Sequence, residues 1–447
     1  MMRKLGFGLI LLCAAAAWAQ DNAGAPEEFT IITKSPQRYP IAVPDFLTSA
    51  VNPGDREAGQ RLTALLRQDL QSSGVLSVVD PRTYLAAAPS LSGEEDYGAW
   101  TPIGADALIR GILTRTPEGR VQLELKLYDL SRREMALGKR YTGSEEALRQ
   151  MVHRFADEVI LWLTGKRGSF ESRIAFVSDK TRRKEIYVMD SDGGNLRQIT
   201  SNRTLNLSPE WWPNSDRLLY TSYKARNPDL YVLDIFTNKE WRLSNRPGLN
   251  VGAAFRLDGQ KIALVLTLQP GNSDLYLLNP DGSGLTQVTS SWAIDVSPAW
   301  SPDGKYLALV SDRSGNPQLY MLDLSRGAES QSNPPVRITW QGDYNSSPAW
   351  SPDGRYIAFA GRKNGQFDLF VLDLNQGEYG TVRPLTDTPY NEEDPAWSPD
   401  GRFIAFSSDR AGNYDIYAIS VYGGAARQLT DWPSNETAPA WSGSLKR

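Results

Sequence analysis

The chain has 447 residues, 40% of them hydrophobic and 22% charged, which is ordinary globular composition at a length that suggests two domains. Its formal net charge of -4 supplies no electrostatic basis for binding nucleic acid, whose recognition depends on clustered Lys and Arg. With one cysteine, Cys13, and one histidine, His153, disulfide scaffolds and zinc sites built from Cys and His are excluded by count.

Arg3 and Lys4 precede an apolar run over 5–17 and the small-x-small triplet Ala17-Trp18-Ala19. This is the pattern of a secretory signal, residues 1–19, and the run is shorter than the roughly 20 residues that cross a bilayer. Its removal takes Cys13 with it, so the exported chain relies on its core for stability. Residues 20–28 are polar with Gly and Pro and are read as a flexible tail.

Residues 29–165 mix helical and strand patterns, as expected of a small α/β domain. Strand-like runs lie at 39–46, 75–80, 107–114 and 121–129. Ala58, Leu62, Leu65, Leu66 and Leu70 recur at helical spacing over 54–73, and Gly74 ends the pattern. A second helix is expected from Ser144 as N-cap to Gly165, with Leu148, Met151, Val152, Phe155, Val159 and Trp162 on one face. His153 lies in this helix and is read as an ordinary helical residue. Residues 166–171 form a short linker.

From 172 to 447 the sequence repeats. Pro298-Ala299-Trp300-Ser301-Pro302-Asp303-Gly304 recurs almost unchanged from Pro348 and from Pro395, and weaker copies place aromatic anchors at Trp212, Phe255 and Trp441. Each unit contains an anchor strand, an SPDG-type turn and further short strands. The strands starting at Ile186, Leu230, Leu275, Leu319, Leu369 and Ile416 follow one another at 44 to 50 residues. Six such units predict a six-bladed β-propeller. The first unit lacks an anchor strand and the chain ends with an orphan one at 438–441, so the C-terminal strand is expected to complete the first blade. One large aromatic per blade is read as packing between blades.

No G-x-S-x-G elbow is present, and a single histidine outside the propeller leaves no Ser-His-Asp arrangement there. Asp190-Ser191-Asp192-Gly193 lacks the other ligands of a calcium loop. The Glu392, Glu393, Asp394 cluster is weighed as surface acids rather than a glycosidase pair. The expectation is therefore no enzyme, no cofactor and no metal. The segments before the anchor strands converge on one face, placing Asn206, Asn250, Trp292, Asp295, Tyr344, Asn345, Tyr390, Asn391, Glu392, Glu393, Asn435 and Glu436 on one partner-binding rim. A propeller hydrolase or an envelope glycan-binding protein is the alternative.

The six AWSPDG-type repeats, the α/β domain, the signal, and the joint Leu163-Thr164-Gly165-Lys166-Arg167-Gly168-Ser169-Phe170 before Arg173-Ile174-Ala175-Phe176-Val177 together resemble the TolB family of the Tol-Pal system. The resemblance implies a monomeric periplasmic scaffold supporting outer-membrane integrity and cell division. It further implies that the propeller binds the peptidoglycan-associated lipoprotein Pal, and that the tail, through Glu27, Glu28, Phe29, Thr30 and Ile31, binds TolA.

Overall fold

Along the strand Val121–Asp129 the side chains of Val121, Leu123, Leu125 and Leu127 are buried while Gln122, Glu124 and Lys126 stand half exposed between them. That period of two builds one face of the amino-terminal sheet. The protein is seen here as a computed structural model that describes residues 37–48, 53–84, 97–213, 216–269, 271–376 and 380–443. The signal, the tail and its TolA-contact residues Glu27, Glu28, Phe29, Thr30 and Ile31 lie outside the described residues.

The amino-terminal sheet runs in the order Leu76–Val78, Tyr39–Ala42, Ala107–Arg115, Val121–Asp129, Glu134–Gly143, with Leu47–Thr48 also pairing Ala107–Arg115. Its first pairings are parallel and its last two antiparallel. Two helices, α1 (Pro53–Ser72) and α2 (Leu148–Thr164), pack with one sheet face around Leu66, Leu70, Val152, Phe155 and Val159. Strand Glu134–Gly143 was not anticipated, because as an edge strand it leaves its side chains exposed or half exposed and carries no apolar alternation. Ser144 makes no side-chain cap and Glu145–Ala147 winds as a 3-10 turn, so α2 begins later than its sequence suggests. Gly165 closes it in the left-handed region, donating its N–H to Leu161 O at 2.8 Å.

Six four-stranded antiparallel sheets follow, five of them each built from one sequence repeat. The strand Glu436–Trp441 pairs with Arg173–Ser178, so the first blade takes its innermost strand from the far end of the described chain and the ring is closed by hydrogen bonds. Among the described residues no helix is long and apolar enough to cross a membrane.

The SPDG segments are tight turns: Gly304, Gly354 and Gly401 each donate an N–H to the serine carbonyl three residues back at 2.9 Å. The serine hydroxyl binds the aspartate at 2.6 Å in all three. The anchor tryptophans bridge blades. Trp300, Trp350 and Trp397 donate Nε1–H to the carbonyls of Ala254, Ala299 and Ala349 in the preceding blade, at 3.0 to 3.2 Å. In the second blade this role belongs to Trp211, which donates to Ala440 O at 3.0 Å, and not to Trp212. A one-residue slip puts a strand side chain on the opposite face. Pro213 shows the register, since aligning it with Pro302 aligns Trp211 with Trp300.

Candidate functional site

Every innermost strand carries a β-bulge at the same place, where the pairing register shifts. The bulged residues Ser208, Gly252, Ser297, Ser347, Asp394 and Ala438 all take φ between 50° and 56°, a conformation that is costly for residues other than glycine. They line a central channel of about 1360 Å³ whose walls also include Arg154, Glu158, Arg167 and Glu171 of the amino-terminal half. Four carboxylates line this space, Glu158 and Glu171 from the amino-terminal half and Glu210 and Asp394 on the innermost strands. Burial pushes Glu210 up to about 8 and raises Asp394, whose oxygens accept from Ser347 and Ser407.

At the opposite end the rim differs from the sequence expectation. Asn206, Asn250, Asp295, Asn345, Glu392 and Glu436 are 0 to 2% exposed and present no surface to a partner. Each is the first residue of an innermost strand, or in the case of Asn345 the second, and points inward to tie its loop down. Asn206 bonds Glu185 of the previous blade at 2.9 Å and Ser222 at 2.8 Å, while Asn345 bonds Gln318 at 2.8 Å. Asn250 holds Ser244 at 2.6 Å. Where the residue is acidic, a Ser-Asp-Arg or Ser-Asp-Lys triplet ends the neighbouring strand: Ser178-Asp179-Lys180, Ser311-Asp312-Arg313 and Ser408-Asp409-Arg410. The arginines pair with Asp295 and Glu392 at 3.0 Å, and Ser178 donates to Glu436 at 2.7 Å. Glu392 and Glu436 are pushed up to about 7, chiefly by burial and further by Asp368 and Asp415 of the preceding blades. These triplets were the sequence signal that the acids are structural.

Because side chains alternate, the residue before each buried one faces outward. Leu205, Leu249, Ile294, Tyr344, Asn391 and Asn435 therefore form the true rim, all exposed or half exposed, and the first three were missed in the sequence. Trp292 (78% exposed), Trp340 (52%) and Tyr390 (41%) extend it from the adjoining loops. The loops are held rigidly. Asp312, Asp409 and Asp179 accept the backbone N–H of Ile294, Asn391 and Asn435 at 2.8 to 2.9 Å. Tyr344 lies edge-on to Phe367 beneath Arg362, and Tyr414 donates to the half-buried Glu393 at 2.7 Å. The structure thus brings Trp292, Tyr344, Tyr390, Asn391, Glu393 and Asn435 to one face and removes the other six.

The chain's one histidine is not near this face. His153 is buried in α2 with Nδ1 2.7 Å from Asp69 Oδ2, where it orients no nucleophile. Its Nε2 and the carboxylates of Asp190 and Asp192 lie within 4.8 Å of one another, but both carboxylates are paired with Arg149, which makes this an ion-pair cluster. What the loop face offers is an apolar and aromatic ring around an opening, with fixed amides and acids between, which is the chemistry of a protein-binding surface.

A family model for the TolB beta propeller domain matches residues 161–445, and one for the TolB amino-terminal domain matches 28–136. Curated relatives include a TolB homolog of Chlorobium luteolum, 35% identical over 264 residues that make up 59% of this chain and 59% of the relative. The Tol-Pal system protein TolB of Bordetella pertussis is 31% identical over 73% of this chain and 72% of its own length. Among solved structures, TolB from Acinetobacter baumannii superposes with a TM-score of 0.77 at 24% identity, covering 94% of this chain and 99% of that one, which supports the fold.

Proposed function

The chain belongs to the TolB family of the Tol-Pal system, and we propose that it is a non-catalytic periplasmic scaffold that seats the lipoprotein Pal on the loop face of its propeller. The observation that carries this reading is the apolar ring of Leu205, Leu249, Ile294, Trp292, Trp340 and Tyr390 around the channel mouth. Single exposed apolar residues are common, whereas a set repeated on equivalent loops of successive blades, braced by buried hydrogen bonds, marks a surface kept for a partner. In this reading Tyr344, Asn391, Glu393 and Asn435 supply orientation between the apolar contacts. The tail, through Glu27, Glu28, Phe29, Thr30 and Ile31, is the proposed contact for TolA, and together the two contacts serve outer-membrane integrity and cell division.

The test is calorimetric titration of the exported chain with Pal from the same organism. Replacing Trp292, Trp340 and Tyr390 together by Ala is expected to weaken Pal binding at least about a hundredfold, as loss of aromatic anchors does, with an unchanged unfolding midpoint. Unchanged affinity in that variant removes the site.

A further inference from the structure

His153 sits midway along α2 and is 2% exposed. On one side its Nδ1 meets Asp69 of α1; on the other its Nε2 has no hydrogen-bond partner and faces Asp192 Oδ2 at 3.9 Å. Asp192 belongs to the propeller, in the turn after the strand Glu185–Asp190 of the first blade. Asp69, His153 and Asp192 therefore form a chain of titratable groups that crosses from one domain into the other.

The surrounding charges leave this chain one positive charge short. From α2, Arg149 pairs with Asp190 at 3.2 Å and also with Asp192. From the last blade, Arg427 donates to Ser191 O at 3.3 Å and lies within the fields of Asp192 and Asp69. Two guanidinium groups thus face three carboxylates, Asp69, Asp190 and Asp192; a fourth, the buried Asp157 one turn further along α2 and in the field of Asp69, accepts the N–H groups of Phe170 and Glu171 and is pushed by burial up to about 7. With a neutral imidazole donating Nδ1–H to Asp69, a bare Nε2 lone pair is buried against a carboxylate, which is unfavourable. A proton on Nε2 converts that contact into an attraction and completes the charge balance.

We propose that protonation of His153 is a latch that holds the amino-terminal domain against the first blade, tightening the domain interface when the imidazole is charged and loosening it when the proton leaves. Burial alone would lower the imidazole, but Asp69 and Asp192 outweigh it, so His153 is held above its usual value. Burial raises Asp69, while His153 and Arg149 hold Asp192 down against its own burial. A raised folded value means the latch contributes fully below the ordinary histidine value of about 6.5 and is lost as pH rises through the raised one.

Because the chain has a single histidine, one ring resonance in the full-length exported protein reports its titration directly. The experiment follows that resonance by NMR alongside hydrogen exchange of amides 148–155 and 190–195 from pH 5.5 to 9, corrected for intrinsic rates. The expected result is a midpoint above 6.5 and interface protection that falls over the same window, about tenfold for each unit of elevation. Asp69→Asn should lower the midpoint, and His153→Gln should abolish the pH dependence of interface protection without altering protection of blades remote from it. Should His153→Gln fail to fold, Asp192→Asn serves in its place, since it leaves the α1 and α2 packing intact and must also lower the midpoint. A midpoint at or below 6.5, interface protection indifferent to the titration, or protection that follows added zinc or EDTA at fixed pH overturns the proposal.

Discussion

The propeller spreads its core over six similar blade interfaces, whereas the amino-terminal domain gathers its main core between two helices and one face of a mixed sheet, with a smaller cluster around Trp100 on the other face. In the propeller each blade is made from neighbouring sequence and leans on the preceding blade through an aromatic anchor, so a blade's partners lie within its own repeat and the adjacent ones. The exception is closure, where the strand Glu436–Trp441 reaches back to Arg173–Ser178. In the amino-terminal domain the parallel strand pairings and the helix layer depend on distant segments, with α1 and α2 meeting across more than half its length. Repetition therefore concentrates the propeller's vulnerability at one seam, and the absence of repetition distributes it in the smaller domain.

Truncation after Asn435 should break this comparison at its strongest point. It removes the innermost strand of the first blade and uncovers Ile174 and Phe176, both fully buried. The expected outcome is loss of the propeller's cooperative unfolding transition, read by calorimetry; a transition persisting within a few degrees would show that closure is dispensable.

A matched pair of substitutions sharpens the comparison at intermediate scale. Phe155→Ala in the helical core and Trp397→Ala between blades should each cost about 3 to 5 kcal/mol. The first should lower only the transition that reports the amino-terminal domain, the second only the propeller's. If both lower a single shared transition, the two regions fold as one unit.

The smallest effect concerns pH. Glu392 and Glu436 are raised from 4.5 to about 7 in the folded chain, so they favour folding while protonated. Their contribution is complete below about 4.5 and lost as pH rises through about 7. The propeller midpoint should fall across that window by an amount on the order of 1 kcal/mol per group, and Glu392→Gln should flatten the slope. A midpoint constant from pH 5 to 7.5 would show that Arg410 and Ser178 already neutralise the cost.

Much of the loop face proposed for binding could be located in the sequence, yet half of the residues expected on it point the other way. The loops before the anchor strands do converge around the channel mouth, and Trp292 and Tyr390 project from them. Asn206, Asn250 and Glu392 looked equally available because polar residues in turn-rich segments usually meet solvent. They are buried because each has a dedicated partner in the previous blade or a neighbouring strand, as with Asn206 and Glu185. The alternating outward positions Leu205, Leu249 and Ile294 were passed over as ordinary strand residues.

The blade number, the order of strands and turns, the ring closure and the α/β character of the first domain were all determined by sequence alone. Each is written in local patterns of period two, period 3.6 or about 44 residues, which survive without knowledge of neighbours. Tertiary structure alone decided which side of each innermost strand meets water, that Trp211 rather than Trp212 is the anchor, and that His153 lies between Asp69 of its own domain and Asp192 of the propeller. Those outcomes depend on what lies across a bulge or an interface, and a side chain's burial there is set by groups dozens to hundreds of residues away.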